Sequence, residues 1–387
     1  MLEARAHLDA LALPDAAARH ALLDAAEARG LPTRGDEAWH YTNLRRLLAG
    51  HPDDAAARDV SFAAVEPLRV EFSDGVLVGD LPSHEGLTLT AQTFDAAESD
   101  EESSAMALYN LALLGGGCVV EVEQPISRPL EIALTGDAPA HLRHRIHVKK
   151  GGALTLIENC GARGYGNLVA DIRVDEGGAL NLVRLHDAGA MVALSRVEVA
   201  AGARFESITL MTGGTLARHE TEAKLTGTDA TANLTGVLLG QGARHADMTC
   251  RIDHLHPDTQ SRTACFAALD DRARGVFQGK VVVHQDAQRS DAQQQSRALL
   301  LSSGAEMDAK PELEIYADDV ACAHGATTSA PDSEALFFLR SRGLDEATAR
   351  HLLVSGFLTQ ALDAVADAPL RAVLHDVMTA RLEGGTA

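Results

Sequence analysis

The stretches Gly151-Gly152-Ala153-Leu154-Thr155-Leu156, Gly177-Gly178-Ala179-Leu180-Asn181-Leu182 and Ala201-Gly202-Ala203-Arg204-Phe205 repeat one phrase, Gly-Ala-x-apolar, at spacings of 26 and 24 residues. Shorter copies stand at Gly242-Ala243-Arg244 and Gly304-Ala305-Glu306, where the spacing becomes irregular. A fixed period of this size marks a repeat architecture whose units stack on one another. Each unit reads strand, glycine turn, strand, and leaves no room for the crossover helix that a βαβ fold needs. A stacked coil solves the pairing problem without helices, because each strand bonds to the equivalent strand one coil away. A β-sandwich is the rival, but its hairpin dipeptides are nearly absent: Asp74-Gly75 is the one Asp-Gly or Asn-Gly pair. The predicted fold is mainly β, with a parallel β-helix (solenoid) core over residues 106–330.

Both flanks read differently. Residues 1–105 form a mostly helical N-terminal region. Pro14-Asp15 opens a helix with Ala18, Leu22, Leu23 and Ala26 on one face, and Gly30 suits its stop. Residues 68–72 and 76–78 read as short strands, and the acidic stretch 94–103 as a loop or short helix. In the C-terminal region, 331–387, Pro331-Asp332 starts a helix that Gly343 ends. Asp345 then caps a second helix carrying Ala349, Leu352, Leu353, Phe357 and Ala361. A solenoid needs its ends covered, and this helical pair is expected to cap one.

Charge excludes whole classes of partner. The chain carries 34 Lys+Arg against 55 Asp+Glu, a net −21, which argues against nucleic acid and anionic membrane surfaces. The basic run from His141 through Arg143, His144, Arg145 and His147 to Lys150 reads as the solvated face of a strand. The start, Met1-Leu2-Glu3-Ala4-Arg5, has no basic then apolar leader, and no run of about 18 apolar residues follows, so a cytoplasmic location is expected. Cys118, Cys160, Cys250, Cys265 and Cys322 make neither a disulfide framework nor a CxxC knuckle, which fits reduced thiols.

Little conventional catalytic chemistry is encoded. Gly275-Val276-Phe277-Gln278-Gly279-Lys280-Val281 is one residue short of a P-loop and ends in Val where Ser or Thr belongs, so it reads as a strand-turn-strand of the solenoid and no ATP is expected on this chain. A carbohydrate-active β-helix enzyme is disfavoured by one Trp and four Tyr; a stand-alone metal-binding protein is a further alternative. His254-Leu255-His256-Pro257 would aim two rings the same way on a strand, but it lacks nearby further ligands and is expected at the surface or in a turn. Cys322-Ala323-His324 would likewise project thiol and imidazole from one face. That pair suits iron or an iron–sulfur unit, a Cys–His nucleophile, or a buried thiol beside a bonded histidine.

The run Glu314-Ile315-Tyr316-Ala317-Asp318-Asp319-Val320-Ala321-Cys322-Ala323-His324-Gly325-Ala326-Thr327 resembles the signature of the SufD subunits, in the SufB/SufD family of the SUF iron–sulfur cluster assembly machinery. The resemblance continues through Gly304-Ala305-Glu306-Met307-Asp308-Ala309-Lys310-Pro311, Ala273-Arg274-Gly275-Val276-Phe277-Gln278-Gly279-Lys280, Glu334 to Gly343, His254-Leu255-His256-Pro257 and, near the start, Glu37-Ala38-Trp39-His40-Tyr41-Thr42-Asn43-Leu44. Ala323 replaces the family's usual Ser. The resemblance implies a right-handed parallel β-helix between helical regions and a non-enzymatic scaffold. It implies a heterodimer with SufB through the end of the β-helix, with homodimers as the alternative when SufB is absent. The C-terminal helices, 332–366, would receive the ABC-type ATPase SufC, and a flavin in the complex is left open. It also implies that His324, with Cys322 beside it, lies at the SufB interface and shares a transient, nascent iron–sulfur cluster.

Overall fold

The computed structural model describes residues 4–11, 13–48, 60–99 and 104–383. Met1 to Glu3, and residues 100–103 of the acidic stretch, lie outside them. A ten-stranded and a nine-stranded sheet enclose one apolar lumen. Consecutive strands alternate between the sheets: Ala153–Cys160 belongs to the first, Tyr165–Val174 to the second, and Ala179–His186 to the first again. Neighbouring strands within each sheet are parallel along the coils, as a solenoid requires. Among the described residues, antiparallel strand pairs occur only at one end, where Leu68–Ser73 meets Val76–Val78 and Leu87–Ala91 meets Cys118–Val122. The sheets therefore begin well upstream of residue 106.

Register explains the irregular period. Leu154 pairs with Leu180, then Phe205, Ala232, Ser261, Ala292 and Cys322 follow in one inward column. The coil is 25 to 27 residues long as far as Ala232 and 29 to 31 beyond it. Gly151, Gly177, Gly202 and Gly242 turn the corners at φ of +71, +66, +61 and +64°, where glycine has no Cβ penalty.

Seven helices flank the solenoid among the described residues: α1 (Ala4–Leu11), α2 (Ala16–Arg29), α3 (Leu44–Leu48), α4 (Ala105–Ala112), α5 (Ser333–Ser341), α6 (Glu346–Thr359) and α7 (Ala368–Glu383). Asp332 and Asp345 cap α5 and α6, and Gly343 lies between them at φ +95°. These helices do not cap the solenoid's end as the sequence led us to expect. The outward face of the ten-stranded sheet carries an apolar stripe, Ile157, Val183, Ile208, Leu210, Val237 and Phe266, and α6 and α7 bury Val354, Leu358, Leu370, Leu374 and Met378 against it. Covering that stripe removes a continuous apolar surface from water.

The nine-stranded sheet is partly open. Its outer face carries an in-register ladder of alternating charge, Arg145, Asp171, Arg196, Glu222 and Arg251, which keeps an uncovered sheet wet. The basic run corrects a second expectation. It lies on the strand Ala140–Val148, but His141, Arg143 and His144 are buried. Asn110 of α4 donates to the carbonyl of Leu142 at 2.9 Å, Arg143 is locked between Glu98 and Asp171 at 2.8 Å each, and His144 faces the lumen. Only part of the run is a solvated face.

Candidate functional site

The end opposite the antiparallel strands is bare. Glu306–Ile315 and Ala321–Ser329 terminate the two sheets, and each has a neighbour on one side only. Ala321 N donates to Ser290 O at 2.9 Å, so in this parallel ladder the odd-numbered residues bond to Asp291–Leu300. The even-numbered ones, Cys322, His324, Ala326 and Thr328, turn their backbone N–H and C=O groups to the free edge. Their side chains continue the lumen columns of Ala292, Gln294, Ser296 and Ala298.

Cys322 and His324 therefore share one face, about 6.6 Å apart along the strand. Cys322 is half-buried and packs against the lumen core. Burial raises its thiol pKa, opposed by a backbone hydrogen bond from Ala292. His324 is exposed at the mouth. Among the described residues, no three His, Cys, Asp or Glu side chains converge to hold a metal ion. This chain offers two donors of different softness on one face, and an incoming chain would have to complete any cluster site.

Beneath His324 the lumen is closed by a residue that sequence reasoning passed over. Gln294 is the in-register neighbour of His324, and its amide crosses the lumen to donate to the carbonyl of Glu312 at 2.9 Å. A Cβ on Gly279 would sit 2.0 Å from Gln294 Oε1 and 2.7 Å from the Phe277 ring, so a side chain at that point of the strand Arg274–Val283 would have to displace Gln294 or Phe277. A glycine inside a strand is the signal that could have found this crossing. The stretch Gly275 to Val281, expected as strand, turn and strand, lies instead within this one continuous strand. Deeper in, burial pushes the Cys118, Cys160 and Cys250 thiols up to about 12, and Cys265 higher still, which leaves them inert.

His254 and His256 are not a pair. The strand ends at His254, which is buried and bonded through Nδ1 to Thr259 Oγ1 (2.8 Å) and through Nε2 to Ser261 Oγ (2.9 Å). His256 follows in the turn. The expectation of two surface histidines fails for His254, because an inward column position at the strand's last residue places it in the lumen.

The segment Glu37 to Leu44 forms a hook on the nine-stranded sheet. Trp39 stacks on the fully buried Arg218 guanidinium at 3.9 Å. Thr42 Oγ1 bonds His245 Nε2 at 2.8 Å and donates to Asp247, which also pairs with Arg218. Gln278 donates to Ala38 O at 2.9 Å, and Lys310, on the last strand, pairs with Glu37 at 2.9 Å. The hook thus ties the N-terminal region to the coils that carry the open end. A second bare surface adjoins them: α5 buries none of its residues, and Phe337 and Phe338 lie exposed close to Leu352 of α6 in sequence.

A model described as SUF system FeS cluster assembly, SufBD core domain, matches residues 132–357. The chain belongs to the SufBD family. The matched span of this SufBD protein runs from the strand Leu130–Thr135 into α6, so it contains both Cys322 and His324. The iron–sulfur cluster assembly protein SufD of Escherichia coli (strain K12) is 28% identical over 92% of this chain and 90% of its own length. An iron–sulfur cluster assembly SufBD family protein of Synechocystis is 30% identical over 91% of this chain and 87% of its own. Another, from Mycobacterium tuberculosis (strain H37Rv), is 30% identical over 92% and 91%. No helix among the described residues is long and apolar enough to cross a membrane.

Proposed function

We propose that this SufBD protein is a SufD-type scaffold subunit, without turnover of its own, that works in the cytoplasm. It pairs with SufB by continuing the two sheets at the bare end, and it offers His324 to a nascent iron–sulfur cluster as cargo. Cys322 stands beside that site, while the partner contributes the main thiolate. An imidazole ligand leaves the cluster more easily displaced than thiolates alone would, which suits a site that hands its cargo on. The exposed face of α5 and α6, within 332–366, docks the ATPase SufC, whose nucleotide cycle opens and closes the interface. This reading gives no binding site for flavin and leaves its presence to the whole complex.

The observation that carries this reading is the pairing of two features on one strand: an unpaired backbone edge, and a lumen face bearing Cys322 and His324. Unpaired edges are templates for strand addition unless they are blunted, and this one carries neither proline nor lysine between Ala321 and Ser329. The test is Ala326→Pro. It removes a backbone N–H that only a partner strand would use, and proline is tolerated at a free edge. Co-expressed with SufB and SufC, the tagged variant is expected to fold with unchanged circular dichroism but to lose SufB from the purified complex. Retention of SufB at the wild-type ratio would overturn strand addition as the mode of pairing.

A further inference from the structure

The nine-stranded sheet's corner turns and the N-terminal hook enclose an open cleft of about 820 Å³ on the flank of the solenoid. Its walls carry five arginines, Arg34 and Arg46 from the hook side and Arg244, Arg272 and Arg274 from three corner positions, against a single carboxylate, Glu306. In a chain of net charge −21 this is a local reversal of sign. Arg274 is committed to Asp308 at 2.6 Å and approaches Glu306 at 3.8 Å. Arg34, Arg46 and Arg272 have no carboxylate partner among the described residues. His245 also lines the cleft; burial holds its pKa down to about 4, so it adds no charge at neutral pH.

Three arguments select a ligand class. First, arginines that project into a concave wall without carboxylate partners present planar donor forks suited to phosphate oxygens. Second, the uncommitted positive groups are spread out: Arg272, whose N donates to Gly242 O, sits on a corner turn of the solenoid, while Arg34 and Arg46 come from the hook side. Cations separated along the cleft suit an extended polyanion better than one carboxylate. Third, the volume falls in the range of small-molecule sites, and Tyr41 supplies an aromatic wall.

We propose that this cleft binds a phosphoanion of two or more phosphates, of the kind carried by a nucleoside diphosphate. The site is separate from the open end that holds Cys322 and His324, and it does not depend on the scaffold reading. Trp39, the chain's one tryptophan, lies in the same hook two residues from Tyr41 and reports on the cleft without labelling.

The experiment titrates the full chain with inorganic pyrophosphate and, separately, with ADP, reading Trp39 fluorescence and calorimetry at about 0.15 M salt, where diffuse surface charge is screened. Two double variants are compared, Arg46→Glu with Arg272→Glu in the cleft, and Lys150→Glu with Arg163→Glu on distant exposed turns. Saturable binding that weakens at least about tenfold in the cleft variant, and stays within about twofold in the distant one, is expected for charge-assisted phosphate contacts. Tighter binding of ADP than of pyrophosphate would assign the nucleoside to the Tyr41 wall, whereas equal binding would assign the diphosphate alone, and both results uphold the site. No saturation by either probe, or equal weakening in both double variants, would mean an adventitious ion only and overturn it.

Discussion

Gln294 stands in register beneath His324 on the neighbouring strand, and its side chain spans the lumen to the carbonyl of Glu312. The exposed histidine thus sits over a floor that joins the two sheets one coil below the open end. That floor depends on Gly279, whose missing Cβ leaves the space Gln294 Oε1 occupies. Gly279→Ala is expected to displace the amide and cost about 1–3 kcal/mol, the usual range for overpacking. Gly279→Ala with Gln294→Ala is expected to cost clearly less than the two single changes added together. Urea melts of the four proteins check this, and strict additivity would contradict it.

A second prediction concerns the C-terminal helix. Arg381 of α7 donates through Nε to Asp187 Oδ1 at 2.6 Å and through Nη2 to the Asp187 carbonyl at 2.9 Å; Asp187 is buried and Arg381 largely so. Arg381→Ala leaves the Asp187 charge with only Thr212 as a side-chain partner. The expected loss is about 3–5 kcal/mol, together with faster amide exchange along α7. An unchanged melting temperature would show that the apolar face of α7 alone holds the helix.

The Trp39 hook gives a third. Thr42→Val keeps the side chain's shape but leaves His245 and Asp247 short of a partner under the hook. A loss of about 1–3 kcal/mol is expected for stranding buried polar groups, along with a red shift of Trp39 emission as its packing on Arg218 loosens. Emission identical to wild type would separate the hook from this network.

Acid should unfold the protein early. Burial is the first cause holding His144, His186, His245 and His254 down to about 4, against an ordinary 6.5. A depressed folded-state pKa means that, as pH falls below about 6.5, the unfolded chain takes up protons that the folded chain refuses. Their contribution is complete above about pH 7 and drains toward pH 4, each histidine removing about 1.4 kcal/mol per pH unit within that window. The thermal midpoint is therefore expected to be flat from about pH 7 to 8 and to drop steeply below about pH 6. Equal midpoints at about pH 5 and 7.5 would contradict the burial of these rings in neutral form.

Much of the fold was legible because glycine corners recur on a period and apolar residues alternate between them, both consequences of coil geometry. The same logic put Cys322 and His324 on one face of a strand, where the register now places them. Less legible was what covers each outer surface. The run around His141 has the composition of a solvated strand, and only the contacts from Glu98 and Asp171, distant in sequence, reveal that Arg143 is enclosed. The helices from Ser333 and Glu346 were legible and α7 was not, and the position of α6 and α7 on the sheet face follows from the stripe of Ile157, Val183 and Ile208, whose partners are far apart in sequence. Gln294 was invisible for a related reason: its role depends on the absence of a side chain at Gly279, on a different strand.

The most direct test of the account is the cargo of the assembled complex. The chain is co-expressed with SufB and SufC, purified without oxygen through its own tag, and analysed for iron and acid-labile sulfide in wild type and His324→Ala. The account predicts the same subunit ratio in both, with cluster iron and sulfide in the wild type and most of both missing from the variant. A His324→Ala complex that retains full iron and sulfide would contradict it and leave His324 a residue of the interface alone.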